Sequence, residues 1–149
     1  MTGAQVEASV VGQGALVCQG CGIRNCVLYP EAVASQHFLQ LSVLGRRAVT
    51  TLGSLTMDLN FERDIRVPLD GAMHSVGARL LGAAFGHDCT IGTGIWMASG
   101  RSVPNGAFVV RDPDQVLSKV PEQVSGGPQR VRGGRLERIG DATVEPGEE

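Results

Sequence analysis

The chain is 149 residues long, enough for one hydrophobic core and not for two. Thirteen basic residues against fifteen acidic ones leave a formal charge of −2, so there is no basic field to neutralise a phosphate backbone and no nucleic-acid partner is expected. Hydrophobic residues at 42% indicate a globular chain, while 21 glycines and only 4% aromatics describe one that turns often, packs small aliphatic side chains and forms no helical bundle.

The opening stretch MTGAQVEASVVGQGALV lacks the basic flank and unbroken apolar run of a signal peptide. No later run approaches the ~20 apolar residues of a membrane helix. The expectations are therefore a cytoplasmic location, no membrane partner, and reduced thiols at Cys18, Cys21, Cys26 and Cys89.

A period of six starts within this stretch. Val11, Val17, Ile23 and Tyr29 recur at that spacing, with Ala15, Cys21, Val27 and Val33 four residues after each. The same rhythm returns in Phe85, Ile91, Met97, Val103 and Val109, followed at the fourth place by Cys89, Ile95, Arg101 and Ala107, Arg101 being the exception to small or aliphatic. The two runs are out of phase by two residues, which requires an irregular segment between them. Neither a helix nor an alternating strand explains one bulky anchor per six residues. A short strand and a tight corner do. Three such sides make a triangular coil, and coils stack at the ~4.8 Å strand spacing with their anchors piled inside. The predicted fold is thus all-β, a left-handed parallel β-helix over residues 1–112.

Residues 62–79 break the period. Ile65, Val67 and Leu69 alternate with Arg66 and Pro68 before Asp70-Gly71, a hairpin-turn dipeptide, so a loop or β-hairpin excursion is predicted there. Residues 113–124 read as a capping segment with a short helix from Pro113 to Val120, and residues 125–149, poor in apolar side chains, as a mobile tail. The Cys18–Cys26 cluster suggests a metal, but Cys21 falls on a small interior position, as Cys89 does, and no fourth ligand lies nearby, so the cysteines are expected to pack and no metal is expected. Trp96 and Phe108, each just before an anchor, are expected to line an inter-subunit face or cap the prism.

The segments SVVGQGALV and FGHDCTIGTGIWMASGRSVPNG resemble the hexapeptide-repeat acyltransferases. HFLQLSVLGRRAVTTLGSLTMDLNFERDIRV, followed by an insertion and RLLGAAFGHD, resembles in particular the C-terminal domain of the bifunctional sugar-1-phosphate nucleotidylyltransferase and amino-sugar-phosphate acetyltransferase group. The likeness spans about residues 6–112.

It implies a homotrimer with acetyl-CoA as co-substrate in the groove between subunits. It also implies a histidine base at His37 and an acceptor tyrosine position occupied here by Gln40. The family's asparagine falls on Asn60, with Arg66 at the lysine position, or on Asp58 in a second register, and both remain open. The small residues that contact CoA fall on Ser54 and Thr93. Glutamine for tyrosine removes a polar contact to the sugar, whereas arginine for lysine keeps anion binding.

No glycine-rich loop with a following Arg or Lys precedes the coils, so nucleotidyl transfer is not expected. Acyl transfer asks little of a protein: the thioester is already activated, an imidazole suits proton transfer near neutral pH, and an N–H near Gly53–Ser54 is a candidate for the oxyanion. By its residues alone His37 reads as a polar corner residue, His74 as a solvated loop histidine and His87 as a surface one. The close histidine pair of the γ-class carbonic anhydrases, which share the fold, is missing. The alternative to an enzyme is a non-catalytic trimerising or regulatory scaffold derived from one.

Overall fold

The structure, a computed structural model, describes residues 3–118, 120–121 and 126–139. Two compact units divide it, residues 1–110 and residues 111–149. The first is the left-handed parallel β-helix expected from the sequence. One wall stacks Val10–Val11, Val27–Leu28, Val43–Leu44, Ala84–Phe85 and Ser102–Val103 in parallel register. A second stacks Leu16–Val17, Val33–Ala34, Val49–Thr50, Thr90–Ile91 and Phe108–Val109. The third carries Gln5–Glu7, Gly22–Arg24 and Phe38–Gln40, then the pair Leu55–Thr56 and Trp96–Met97.

In the two-residue strands the second residue points inward. The core is therefore a set of columns, Leu28, Leu44, Phe85 and Val103 on one wall and Ala34, Thr50 and Ile91 on the next, all buried. Cys21, Cys26, Ala32, Ala48, Ala83 and Cys89 fill the narrowing corners.

From Phe85 to Val109 the period of six holds without a break. Before the excursion it does not. Ile23 is followed inside by Leu28, and Ala34 by Leu39 and then Leu44, so these sides are five residues long. Tyr29, the expected anchor, is exposed, and Cys26 and Ala32 take the small interior places in front of Val27 and Val33.

The backbone supplies the reason. In six-residue sides the third residue after the anchor has positive φ, as Glu31, Arg47 and Asp88 do, or is a glycine. In three of the five-residue sides the second residue does so, at Ala8, Asn25 and Leu41, and one residue is dropped from the corner, while the side from Ala34 to Leu39 is as short without a left-handed residue. Three omissions after Ile23 and a fourth across the excursion, which returns at Phe85 one residue short of a whole number of six-residue sides, together produce the change of phase between the two halves.

The excursion leaves the coil after Thr56 and returns at Ala84. Its hairpin pairs Arg66–Leu69 with Ala72–Ser75, and Asp70 (φ 49°) and Gly71 (φ 76°) both take the left-handed conformation that a two-residue turn of this twist requires. Its root lies outside 62–79: the Asp58 carbonyl accepts from the Leu81 N–H at 2.7 Å, and the Asn60 N–H donates to the Arg79 carbonyl at 2.9 Å. Ile65 is buried against Gly100, where a Cβ would come within 2.5 Å of Ile65 Cγ2. Arg101, the misfit of the repeat, is turned outward, and its Nη1 donates to the Arg66 carbonyl at 2.8 Å.

In the second unit the helix expected over 113–120 is a single 3-10 turn, Pro113–Gln115, closed by Asp112 accepting the Asp114 N–H. Val116 is already extended. Within the stretch expected to be a mobile tail, Gln129–Arg132 and Arg135–Arg138 pair as an antiparallel hairpin around Gly133-Gly134, both at positive φ, with Arg130 bound to Glu137 across it. Residues 125 and 140–149 of that expectation, and residues 119 and 122–124 of the expected capping segment, lie outside the described residues. Among the described residues no helix is long and apolar enough to cross a membrane.

Candidate functional site

The edge between the second and third walls stacks three corners that bear on chemistry: 35–37, 51–54 and 92–95. His37 is exposed there, and its carbonyl accepts from the Gly22 N–H at 2.8 Å, which ties the corner to the coil before it. Its imidazole has no hydrogen-bond partner among the described residues. It borders a cavity of about 280 Å³ with Gly20, Gly22 and Phe38. Thr93, also exposed, sets its hydroxyl 3.4 Å from that of Thr51.

Excursion apart, the His37 corner is the one place among the described coil residues where a side closes without a left-handed residue. A buried side chain does the work there. Gln36, 1% exposed, donates from Nε2 to the Phe38 carbonyl at 3.0 Å and to Thr56 Oγ1 at 3.3 Å, and its Oε1 accepts from the Ser54 hydroxyl at 3.1 Å. The sequence carried a trace of this cluster in Ser54 and Thr56, which hold interior places filled elsewhere by Leu, Ala or Cys.

Ser54 belongs to this interior network. Its single hydroxyl proton is shared between Gln36 Oε1 and the Thr51 carbonyl, which lies at 2.7 Å, and its N–H donates to the same carbonyl at 3.2 Å. That N–H, a candidate for the oxyanion on sequence grounds, is therefore engaged within its own corner.

The other expected residues lie at the far end of the third wall. Gln40 ends the strand that His37 precedes, half-buried, with its carbonyl accepting from the Ser42 hydroxyl. Asp58 and Asn60 stand at the root of the excursion. Asn60 Oδ1 accepts from the N–H groups of Glu62 and Arg63 at 3.1 and 3.3 Å, a local turn that fixes its amide. Asn60 and Arg66 line a single polar cleft of about 250 Å³ with Arg63, Asp64, Ser99 and Arg101. Arg66 Nη2 donates to the Met73 carbonyl at 2.7 Å. The structure thus brings Asn60 and Arg66 together and places His37, Ser54 and Thr93 on another edge. Arg63 and Arg101 were missed, although the break at Arg101 in the repeat was a signal.

Three of the thiols, Cys21, Cys26 and Cys89, are buried, and Cys18 is half-buried. Burial, with Cys18 and Cys26 nearby, pushes Cys21 up to about 11, and burial also raises Cys26 and Cys89. His87 is tied into the coil, accepting the Arg46 N–H at Nδ1 (2.8 Å) and lying edge-on to the Tyr29 ring.

Fold and edge together define the class: a parallel β-helix of hexapeptide type, with one hairpin excursion and a polar cleft at its foot. No family model matches the chain, and no curated protein does. Among solved structures it is similar to the acetyltransferase domain of PglB from Neisseria gonorrhoeae FA1090, at 17% identity and a TM-score of 0.44. That match covers 91% of this chain and 54% of the other, so the chain spans about half the length of its structural neighbour.

Proposed function

We propose that this chain is an acetyl-CoA-dependent acyltransferase-like domain that acetylates an amino sugar or amino-sugar phosphate, without nucleotidyl transfer, as a cytoplasmic homotrimer. The observation that carries this reading is His37: an exposed imidazole without a hydrogen-bond partner among the described residues, on a corner pinned from inside by Gln36, beside a cavity and next to the hydroxyl-bearing Thr51–Thr93 edge. The acceptor amine attacks the thioester carbonyl carbon, His37 takes the proton from nitrogen, the C–S bond breaks, and the proton passes to the departing thiolate. Thr93 and the backbone of the Ser54 corner face the donor. Gln40, Asp58, Asn60 and Arg66 serve the acceptor, with Arg66 on its phosphate.

His37 and Arg66 sit at opposite ends of one wall, so a single site needs two copies of the chain, the His37 edge of one meeting the excursion of its neighbour. Thiol release from acetyl-CoA with a panel of amino sugars tests the reading. Release is expected with at least one acceptor and lost in His37→Ala. Mixing His37→Ala with Arg66→Gln chains restores part of it if the site is shared.

Gln40 in place of the tyrosine and the engaged Ser54 N–H favour the second reading, a non-catalytic trimerising or regulatory scaffold derived from such an enzyme. Silence with every acceptor, with His37→Ala indistinguishable, would establish that second reading.

A further inference from the structure

The cleft at the foot of the excursion carries charge that the protein leaves unmatched. Arg63, Arg66 and Arg101 all line it, and Asp64 is the single carboxylate among its lining residues. The ion pairs among the described residues engage Arg24, Arg47, Arg130 and Arg132, and none reaches these three. In a chain whose overall charge is −2, the cleft therefore holds a local excess of two positive charges.

Two of the guanidinium groups are held in place by the fold itself. Arg66 spends one N–H on the Met73 carbonyl across the hairpin, and Arg101 spends one on the Arg66 carbonyl, leaving four donors on each. Asn60 spends its oxygen on the turn at 62–63, which leaves its amide NH2 as a further donor. A neutral ligand leaves such forks unpaired, whereas a tetrahedral dianion matches them in charge and in bidentate geometry.

We infer that Arg63, Arg66 and Arg101, with Asn60, form a binding site for a phosphate monoester between the hairpin and the coil corner at 98–101. The inference rests on the function proposed above in sharing Asn60, Arg66 and the phosphate which that reading sets on Arg66. It adds Arg63 and Arg101, and it holds whether or not the chain transfers acyl groups.

Titration calorimetry of the full chain at fixed ionic strength, with phenyl phosphate and inorganic phosphate as probes and acetate and sulfate as comparisons, tests it. Saturable binding of both phosphates at one site per chain is expected, weakened about tenfold in Arg63→Gln and in Arg101→Gln and unchanged in Arg132→Gln. Arg101→Gln also loosens the hairpin, so Arg63→Gln, whose side chain holds nothing else, is the deciding variant. No phosphate binding, equal binding in Arg63→Gln, or equal affinity for acetate would each overturn the inference, whereas sulfate, itself a tetrahedral dianion, is expected to compete for the site. Phosphate binding without thiol release would remove the proposed acyl transfer and leave this site. Thiol release without phosphate binding would do the reverse.

Discussion

Gln36 offers the sharpest test of how the His37 corner is held. Methionine at this place keeps nearly the same volume and removes the amide, so packing changes little and the cost comes from the partners left behind. The Ser54 hydroxyl retains the Thr51 carbonyl, but the Phe38 carbonyl and Thr56 Oγ1 each lose a donor inside the prism. An orphaned buried polar group costs about 1–3 kcal/mol, which puts Gln36→Met, with two such groups, at about 2–6 kcal/mol, or about 1–3 kcal/mol where the Thr56 hydroxyl rotates to another partner. A domain of this size has about 5–15 kcal/mol in total, so the loss is a large fraction of its stability.

Equilibrium unfolding in urea, followed by far-UV circular dichroism, reads it as a lower midpoint at unchanged slope. The triple variant Gln36→Met, Ser54→Ala, Thr56→Val removes both hydroxyls and is expected to recover at least half of the loss, since a wholly apolar set leaves only the Phe38 carbonyl unmatched. A Gln36→Met protein within about 0.5 kcal/mol of the parent would refute the argument that this amide closes the corner.

Four further outcomes follow from the same structure. A Cβ on Gly45 would come 2.6 Å from the His87 nitrogen and 2.7 Å from the Gly86 carbonyl carbon, so Gly45→Ala forces two coils apart and costs about 1–3 kcal/mol, read by thermal denaturation; an unchanged Tm would contradict the stacking. Native-state alkylation at neutral pH should modify half-buried Cys18 first and the buried Cys21, Cys26 and Cys89 only with denaturant. Because Cys21 is raised from near 9 to about 11 in the folded chain, its contribution to stability is complete below pH 9 and is lost as pH rises through 11, an alkaline decline that Cys21→Ala should lessen. On the acid side, the Arg47 guanidinium holds Asp88 below the usual carboxylate range, so the pair's contribution is present above the unfolded value and fades as pH falls through the folded one; Arg47→Gln should return Asp88 toward that range in an NMR titration.

The hexapeptide rhythm of Phe85 to Val109 was legible because every side there has six residues and its interior residues are bulky. Asp70-Gly71 was legible too, since the two-residue turn needs left-handed backbone at both places and this pair tolerates it. Tyr29 was misplaced because a five-residue side depends on Asn25 adopting positive φ, which no spacing rule sees in advance. The hairpin at 129–138 was hidden by a composition that reads as unstructured, although Gly133-Gly134 and the Arg130–Glu137 pair support it.

Of the candidate site, the family resemblance pointed to His37, to Asn60 or Asp58, and to Arg66, while the residues alone marked His37 only as a polar corner residue. The stacking of coils decided their neighbours. Residues 41 positions apart, such as Leu44 and Phe85, become adjacent once the excursion is set aside, and this brings Arg101 beside Arg66 and Thr93 beside Thr51. Local sequence sets which side chain faces inward at each strand. Which outward side chains share an edge depends on how many residues each corner spends, a sum over the whole coil that only the folded chain resolves.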